Sequence, residues 1–175
     1  MPIVSYKSAT VHKYVLICAI HTIPEPGTLE LADAIFSMIP NGCAGIYTYA
    51  DDKHQSSTYF TEPLFNRIVG SYTTVISVHG HQSNRDPVLI GGRDRSAVIA
   101  IRKLLGLTGQ RIPTYLSGRN PANICNRGTS GQGLQLEIAD FALSNKHLVS
   151  WIAENVANIY RAAHACMPAV STPIS

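Results

Sequence analysis

The run Thr73-Thr-Val-Ile-Ser-Val-His79 constrains this chain most. It is β-branched and apolar almost throughout, so it reads as a central strand covered on both faces. Such strands belong to sheets with helices packed above and below. The flanking sequence fits that pattern. His12 to Ile20 and Cys43 to Tyr49 read as further strands, Pro87 to Ile90 as a short one, and Gly133 to Ile138 as another. Between them, Leu29, Leu31, Ala32, Ile35 and Phe36 recur at helical spacing after Pro26-Gly-Thr28, with Thr28 as the expected N-cap. Glu62 to Val69, Ser96 to Leu105 and Lys146 to Ala165 read as helices, and Arg111 to Leu116 as one more strand. Strand alternating with helix predicts an α/β three-layer sandwich, with a mixed, mostly parallel sheet flanked by helices.

With 175 residues, 45% of them hydrophobic, the chain can bury a core and is not of disordered composition. One domain is expected over residues 1–166, followed by a Pro/Ser-rich tail over 167–175 that frays. No apolar run approaches the roughly 20 residues of a membrane span. Tyr14 to Ile20 follows Lys7 and Lys13 but is only 7 residues long, so it reads as a buried strand and not as a signal peptide. The expectation is synthesis in the cytoplasm, with host lysis as a route out. Cys18, Cys43, Cys125 and Cys166 are scattered without a C-x-x-C pair, which argues against a cysteine-rich structural zinc site.

Net charge is +3, but the segment from Arg85 to Arg127 carries +6 and the rest −3. Seven of the eight basic residues in that segment are arginines, which suits bidentate contact with carboxylates or phosphates. The alternative of solvated helix and loop charge stands beside it. Arg93 and Arg119 in this segment are candidate contacts to an anionic substrate.

Acids and imidazoles cluster at the predicted strand ends. His21 and Glu25 lie four apart in a turn stiffened by Pro24 and Pro26, His79 and His81 close the central strand, and Glu137 sits in Leu134-Gln-Leu-Glu-Ile138. Ligands of α/β sheets bind beyond the carboxyl ends of the strands. Two imidazoles and a carboxylate there suit a catalytic zinc, with either His79 or His81 as the third ligand. A carboxylate among apolar strand neighbours is costly unless paired, protonated or beside a cation. Glu137 therefore reads either as a salt-bridge partner, for instance of Arg127, or as a general base acting on a zinc-activated water. Arg127 could also polarise a scissile carbonyl.

Several stretches together resemble a known family. They are Glu25-Pro-Gly-Thr28 after His21, Val78-His79-Gly80, Gly91-Gly92, His54-Gln-Ser-Ser-Thr-Tyr-Phe60, and above all Asn120-Pro-Ala-Asn-Ile-Cys-Asn-Arg-Gly128 followed by Gly133-Leu-Gln-Leu-Glu137. In this order they resemble the poly-γ-glutamate hydrolases of bacteria and phages, over about residues 14 to 140. That family is similar in fold to the zinc carboxypeptidases. The resemblance implies one zinc held by His21, Glu25 and His79, with Glu137 as general base. It places Asn123 and Arg127 in the substrate cleft, and His54 and His81 beside them as substrate contacts. The implied substrate is poly-γ-glutamate, an anionic polymer joined by γ-amide bonds. Alternatives are γ-glutamyl or peptidoglycan stem-peptide amides, or a nucleic-acid-binding phage accessory protein; nucleic acid is the less expected partner, as no helix-turn-helix, finger or stacking run is present. One departure stands out. The family usually has His-Gly-Gly-Gly-Ile-Glu, whereas here Glu25 is four after His21 and the glycines are missing. This shorter loop is expected to place the carboxylate differently, so that His81 could replace or assist a ligand.

Overall fold

The computed structural model describes residues 1–40, 42–83 and 85–165. The tail 167–175 and Cys166 lie outside the described residues. Six strands form one sheet: β1 (Ile3–Lys7), β2 (Val15–Ala19), β3 (Ala44–Ala50), β4 (Thr74–His81), β5 (Val88–Gly92) and β6 (Leu134–Ala139), in the order β1-β3-β2-β4-β6-β5. The four middle strands are mutually parallel, and β1 and β5 pair antiparallel at the two edges. The described residues also form the α-helices α1 (Thr28–Met38), α2 (Pro63–Val69), α3 (Arg95–Leu104), α4 (Asp140–Leu143) and α5 (Lys146–Ala165). This is the expected three-layer α/β sandwich with a mixed, mostly parallel sheet.

Period-2 alternation sorts each middle strand onto two faces. Val15, Ile17 and Ala19 of β2, Ile76 and Val78 of β4, and Leu134, Leu136 and Ile138 of β6 join α1, α3 and α5 in the larger core, which also holds Cys43. Leu16, Cys18 and Ile20 face the other way, with Tyr47, Phe60, Phe65 and Tyr72. Burying one such aliphatic side chain is worth on the order of 1.5–3 kcal/mol. On this second face the chemistry changes along the strands. Val75 of β4 is apolar, but Ser77 and His79 follow it, and Gln135 and Glu137 occupy the same face of β6. Register puts Ser77 opposite Gln135 and His79 opposite Glu137. The carboxyl ends of the parallel strands thus carry a polar patch that the apolar second core does not cover.

Three expectations need correction. β1 has no counterpart in the predicted elements, because four of its five residues are exposed and it is held by pairing with β3 and by the Tyr6–Tyr72 hydroxyl contact at 2.9 Å. Arg111 to Leu116 is not a strand. It ends in a 3-10 turn, Thr114–Leu116, behind Pro113, which has no N–H for a ladder. Thr28 is not the N-cap of α1: Gly27 holds that position at φ 93°, and the Thr28 hydroxyl donates to the Glu25 carbonyl at 2.8 Å. The left-handed φ favours glycine, and a Cβ on Gly27 would come within 2.8 Å of Leu143 Cβ.

Candidate metal centre and active-site cleft

His21 lies two residues past the end of β2, and its carbonyl accepts a hydrogen bond from the Glu25 N–H at 2.9 Å. This single turn of i to i+4 geometry sets the two side chains side by side, with His21 Nδ1 3.0 Å from Glu25 Oε1. The four-residue spacing therefore delivers the carboxylate to the imidazole without the family's glycines. His79, at the end of β4, brings its Nδ1 to 3.2 Å from His21 Nδ1 and 3.7 Å from Glu25 Oε2. The second carboxylate oxygen also accepts the Gly80 N–H at 2.8 Å. The approach is close, since a Cβ on Gly80 would stand 3.0 Å from Glu25 Cβ and would push that side chain by a few tenths of an ångström.

The remaining ring nitrogens are anchored. His21 Nε2 lies 2.5 Å from the Gln55 carbonyl, and His79 Nε2 lies 3.1 Å from Ser57 Oγ. A carbonyl only accepts, so His21 Nε2 carries a proton and its Nδ1 lone pair is directed inward. Rings anchored at one nitrogen and free to donate electrons at the other are the arrangement found around metal ions. Tetrahedral zinc with bonds of about 2.0–2.1 Å separates its ligand atoms by roughly 3.3 Å. The two Nδ1 atoms, 3.2 Å apart, match that spacing, and the Glu25 carboxylate presents Oε1 at 3.0 Å to His21 and Oε2 at 3.7 Å to His79.

His54 adds a fourth group. Its ring stacks on His21 with centroids 4.1 Å apart, and its Nε2 is 3.3 Å from Glu25 Oε1. Donor atoms of His21, Glu25 and His54 all lie within 4.8 Å of one another, so these three could also hold an ion. The two candidates for third ligand differ in setting. His79 is 3% exposed as a residue, whereas the His54 side chain is 61% exposed.

Electrostatics follow from burial. Desolvation pushes the Glu25 carboxyl up, but the His21 and His79 imidazoles beside it outweigh that and hold it well below the usual carboxylate range. Burial pulls the His79 imidazole down, against the opposing pull of Glu25. Glu137 behaves oppositely to Glu25: burial, and then the Glu25 charge, push it up to about 8.

Glu137 faces the same cleft, of about 210 Å³, as His21, Glu25, His54 and His79. Its Oε1 accepts from Gln135 Nε2 at 2.6 Å, and that same Nε2 donates to the Leu116 carbonyl at 3.0 Å. Gln135 Oε1 in turn accepts from Asn123 Nδ2 at 2.8 Å. Asn123 lines the cleft and also caps the turn Ile124–Asn126 through Cys125 N–H. The relay Asn123–Gln135–Glu137 holds the carboxylate in one orientation, with Oε2 outside it.

Other predicted residues lie elsewhere. Arg127 is not brought to the cleft. Its Nη1 donates to the Phe60 carbonyl at 2.6 Å, its Nη2 to Thr58 at 3.0 Å, and its Nε to Ala122 at 2.8 Å, which ties down the segment carrying Ser57. It is not the salt-bridge partner of Glu137 either. His81 continues β4, but it does not line the cleft, and its surrounding charges are Asp86 and Asp140. Arg93 and Arg119 line a separate cleft. Sequence reasoning missed the anchoring roles of Gln55 and Ser57. Their stretch was singled out for His54, but nothing in it shows which loop atom meets which imidazole.

An α/β sandwich with imidazoles and carboxylates gathered at the carboxyl ends of its parallel strands defines a protein that binds or transforms a ligand at that edge. The chain belongs to the poly-gamma-glutamate hydrolase family, whose model matches residues 3–145. A structure of a bacteriophage poly-gamma-glutamate hydrolase superposes with a TM-score of 0.79 at 20% identity, covering 94% of this chain and 91% of the other. The zinc-free apo form of YndL superposes with a TM-score of 0.75 at 21% identity, covering 95% and 91%. The SPbeta prophage-derived UPF0714 protein YoqZ of Bacillus subtilis (strain 168) is 34% identical over 95 residues, 51% of this chain and 35% of that protein. The chain spans 35% to 39% of the length of the curated relatives it matches. Among the described residues no helix is long and apolar enough to cross a membrane.

Proposed function

We propose that this protein is a zinc-dependent hydrolase of γ-glutamyl amide bonds, with poly-γ-glutamate as its substrate. The observation that carries this reading is the convergence of His21 Nδ1, His79 Nδ1 and the Glu25 carboxylate, with both outer ring nitrogens anchored. Family membership supplies the substrate class, and YndL, whose solved form is described by its lack of zinc, supports the metal. His21, Glu25 and His79 hold the ion. Zinc bound there supplies Lewis-acid polarisation of the scissile carbonyl and lowers the pKa of a water.

Glu137 acts as general base. Gln135 occupies its Oε1, so Oε2 takes the proton from the attacking water and later delivers it to the leaving amine. Water adds its oxygen to the carbonyl carbon, the C–N bond breaks, and the products are a carboxylate and an amine. Burial and the Glu25 charge push the Glu137 carboxyl up to about 8 in the metal-free chain, where it is mostly protonated at neutral pH; a cation held by the neighbouring groups would bring it down into the ionised form that a base requires. Arg127 contributes by fixing the segment whose Ser57 holds the His79 ring.

Metal analysis together with polymer cleavage tests this, for wild type and Glu137→Gln. About one zinc per chain, shortening of poly-γ-glutamate by wild type, and loss of cleavage with zinc retained in the variant are expected. Zinc with cleavage of only short γ-glutamyl or cell-wall peptides would replace the polymer as substrate. A protein that takes up no zinc would end the hydrolase reading.

A further inference from the structure

The fold gathers four arginines onto one cleft. Arg93, Arg95, Arg102 and Arg119 line a cavity of about 600 Å³ where β5 runs into α3, larger than the candidate active-site cleft. No carboxylate lines it. Asp94, beside it in sequence, turns its Oδ1 to the Ala97 N–H as the cap of α3. Among the described residues, the side chains of Arg93, Arg95 and Arg119 make no hydrogen bond or ion pair. Arg102 is held in place by the Ile90 and Gln110 carbonyls. Burial, and then the charge of Arg119, pull its guanidinium below the usual range. The positive charge here is not balanced from within the cleft, and such self-repulsion is a cost that an anionic ligand removes.

The turn Thr114–Leu116 stands between this cleft and the candidate active site. Arg102 and Arg119 also border an adjoining cavity with Arg111, Thr114 and Ser117, and the turn Thr114–Leu116 then sends Tyr115 and Leu116 into the imidazole cleft. The strap bearing Arg119 is rigid. The Ser117 carbonyl accepts the Gly92 N–H at 2.7 Å, and the Gly118 carbonyl accepts Asn126 Nδ2 at 2.7 Å. Gly118 has φ 61°, and a Cβ on it would stand 2.8 Å from Gln135 Cβ, the residue that holds Glu137.

We propose that the Arg93–Arg95–Arg119 cleft is an exosite that binds free carboxylates of the polymer several residues away from the bond being cut. This deepens and rests on the γ-glutamyl reading. A γ-linked polymer presents one free α-carboxylate per residue, and guanidinium forks take carboxylates two hydrogen bonds at a time. A chain held at both clefts binds with avidity, so affinity grows with length once the chain spans the turn at Thr114–Leu116. Single-stranded nucleic acid is the less suited polyanion, because this lining offers no aromatic ring on which bases stack.

The test is calorimetric binding of a γ-glutamyl trimer and a 12-residue γ-glutamyl oligomer to zinc-loaded Glu137→Gln protein, corrected for the number of binding registers. The same titrations are made after adding Arg93→Gln, Arg95→Gln and Arg119→Gln, and separately after adding Lys7→Gln, Lys13→Gln and Lys146→Gln, with thermal melting as the folding control. The parent is expected to prefer the longer oligomer at least tenfold, the arginine variant to lose that preference, and the lysine variant to keep it. The exosite is overturned by a parent without length preference, by an arginine variant that retains it, or by a lysine variant that loses it equally. It is also overturned if a single-stranded oligonucleotide binds more tightly than the oligomer and is the ligand lost. Binding is read without turnover, so failure of wild type to cleave any γ-glutamyl amide marks the failure of the hydrolase reading separately.

Discussion

His21 and His79 face each other Nδ1 to Nδ1 at 3.2 Å, although the Gln55 carbonyl dictates that His21 carries its proton on the far nitrogen. With both rings neutral, His79 must either point a proton at His21 or oppose it lone pair to lone pair, beside an ionised Glu25. A cation between them satisfies all three groups. On the proposed reading zinc binds the folded chain and not the unfolded one, so its addition would stabilise the fold by mass action. Melting is expected to rise by several degrees when zinc is added to chelator-treated protein, and to fall back when the chelator is restored; equal melting in both states would count against the site.

Burial and anchoring favour His79 over His54 as the third ligand of the proposed site. His79→Gln is expected to lower zinc affinity by at least about 100-fold, while His54→Gln changes it by less than about 10-fold, since His54 is exposed and its ring lacks an anchor comparable to Ser57. Competition with a fluorescent zinc chelator measures both. The reverse order of effects would move the third ligand to His54.

Glu137→Gln is expected to cut turnover by about 10²–10⁴-fold, the range for loss of a general base. The same change alters stability in the metal-free protein, with a definite sign. The folded carboxyl lies at about 8, above the roughly 4.3 of an unfolded glutamate. Its favourable contribution is complete below the unfolded value and is lost as pH rises through 8. Urea unfolding of wild type should therefore weaken relative to Glu137→Gln between pH 5 and pH 8, and the two should converge near pH 4. A pH-independent difference would show that the carboxyl is not raised.

Gly80 admits the Glu25 side chain along β4 and donates its N–H to it. Gly80→Ala is expected to keep the fold but weaken zinc binding by about 10-fold or more, because the added methyl displaces the carboxylate. Metal content after dialysis against a fixed zinc concentration reads this out. Unchanged metal content would mean that Glu25 tolerates the shift.

Arg127 ties the segment 57–60 to the turn at Ala122 through planar, branched donors that an ammonium cannot reproduce. Arg127→Lys is expected to destabilise the protein by about 2 kcal/mol in urea unfolding and to raise proteolytic cutting in the 51–62 loop. If it lost turnover with no change in either, Arg127 would instead act at the scissile carbonyl.

The sequence by itself determined the layers and the edge where the chemistry sits. Strand and helix periods are local, and Val75 to His79 or Leu134 to Ile138 show theirs within a few residues. Parallel strands end on one side of a sheet, so His21, His79 and Glu137, each at a strand end, could be placed together without a structure. β1 and the turn at Thr114–Leu116 were not legible, because exposure and a proline made their patterns weak. Only the tertiary structure decided which atoms meet. It turned His79 toward His21 and left His81 outside the cleft, joined Gln135 to Glu137, and set Arg127 under the loop that carries Ser57. Those contacts span tens of residues and depend on loop backbone atoms whose positions no side-chain pattern encodes.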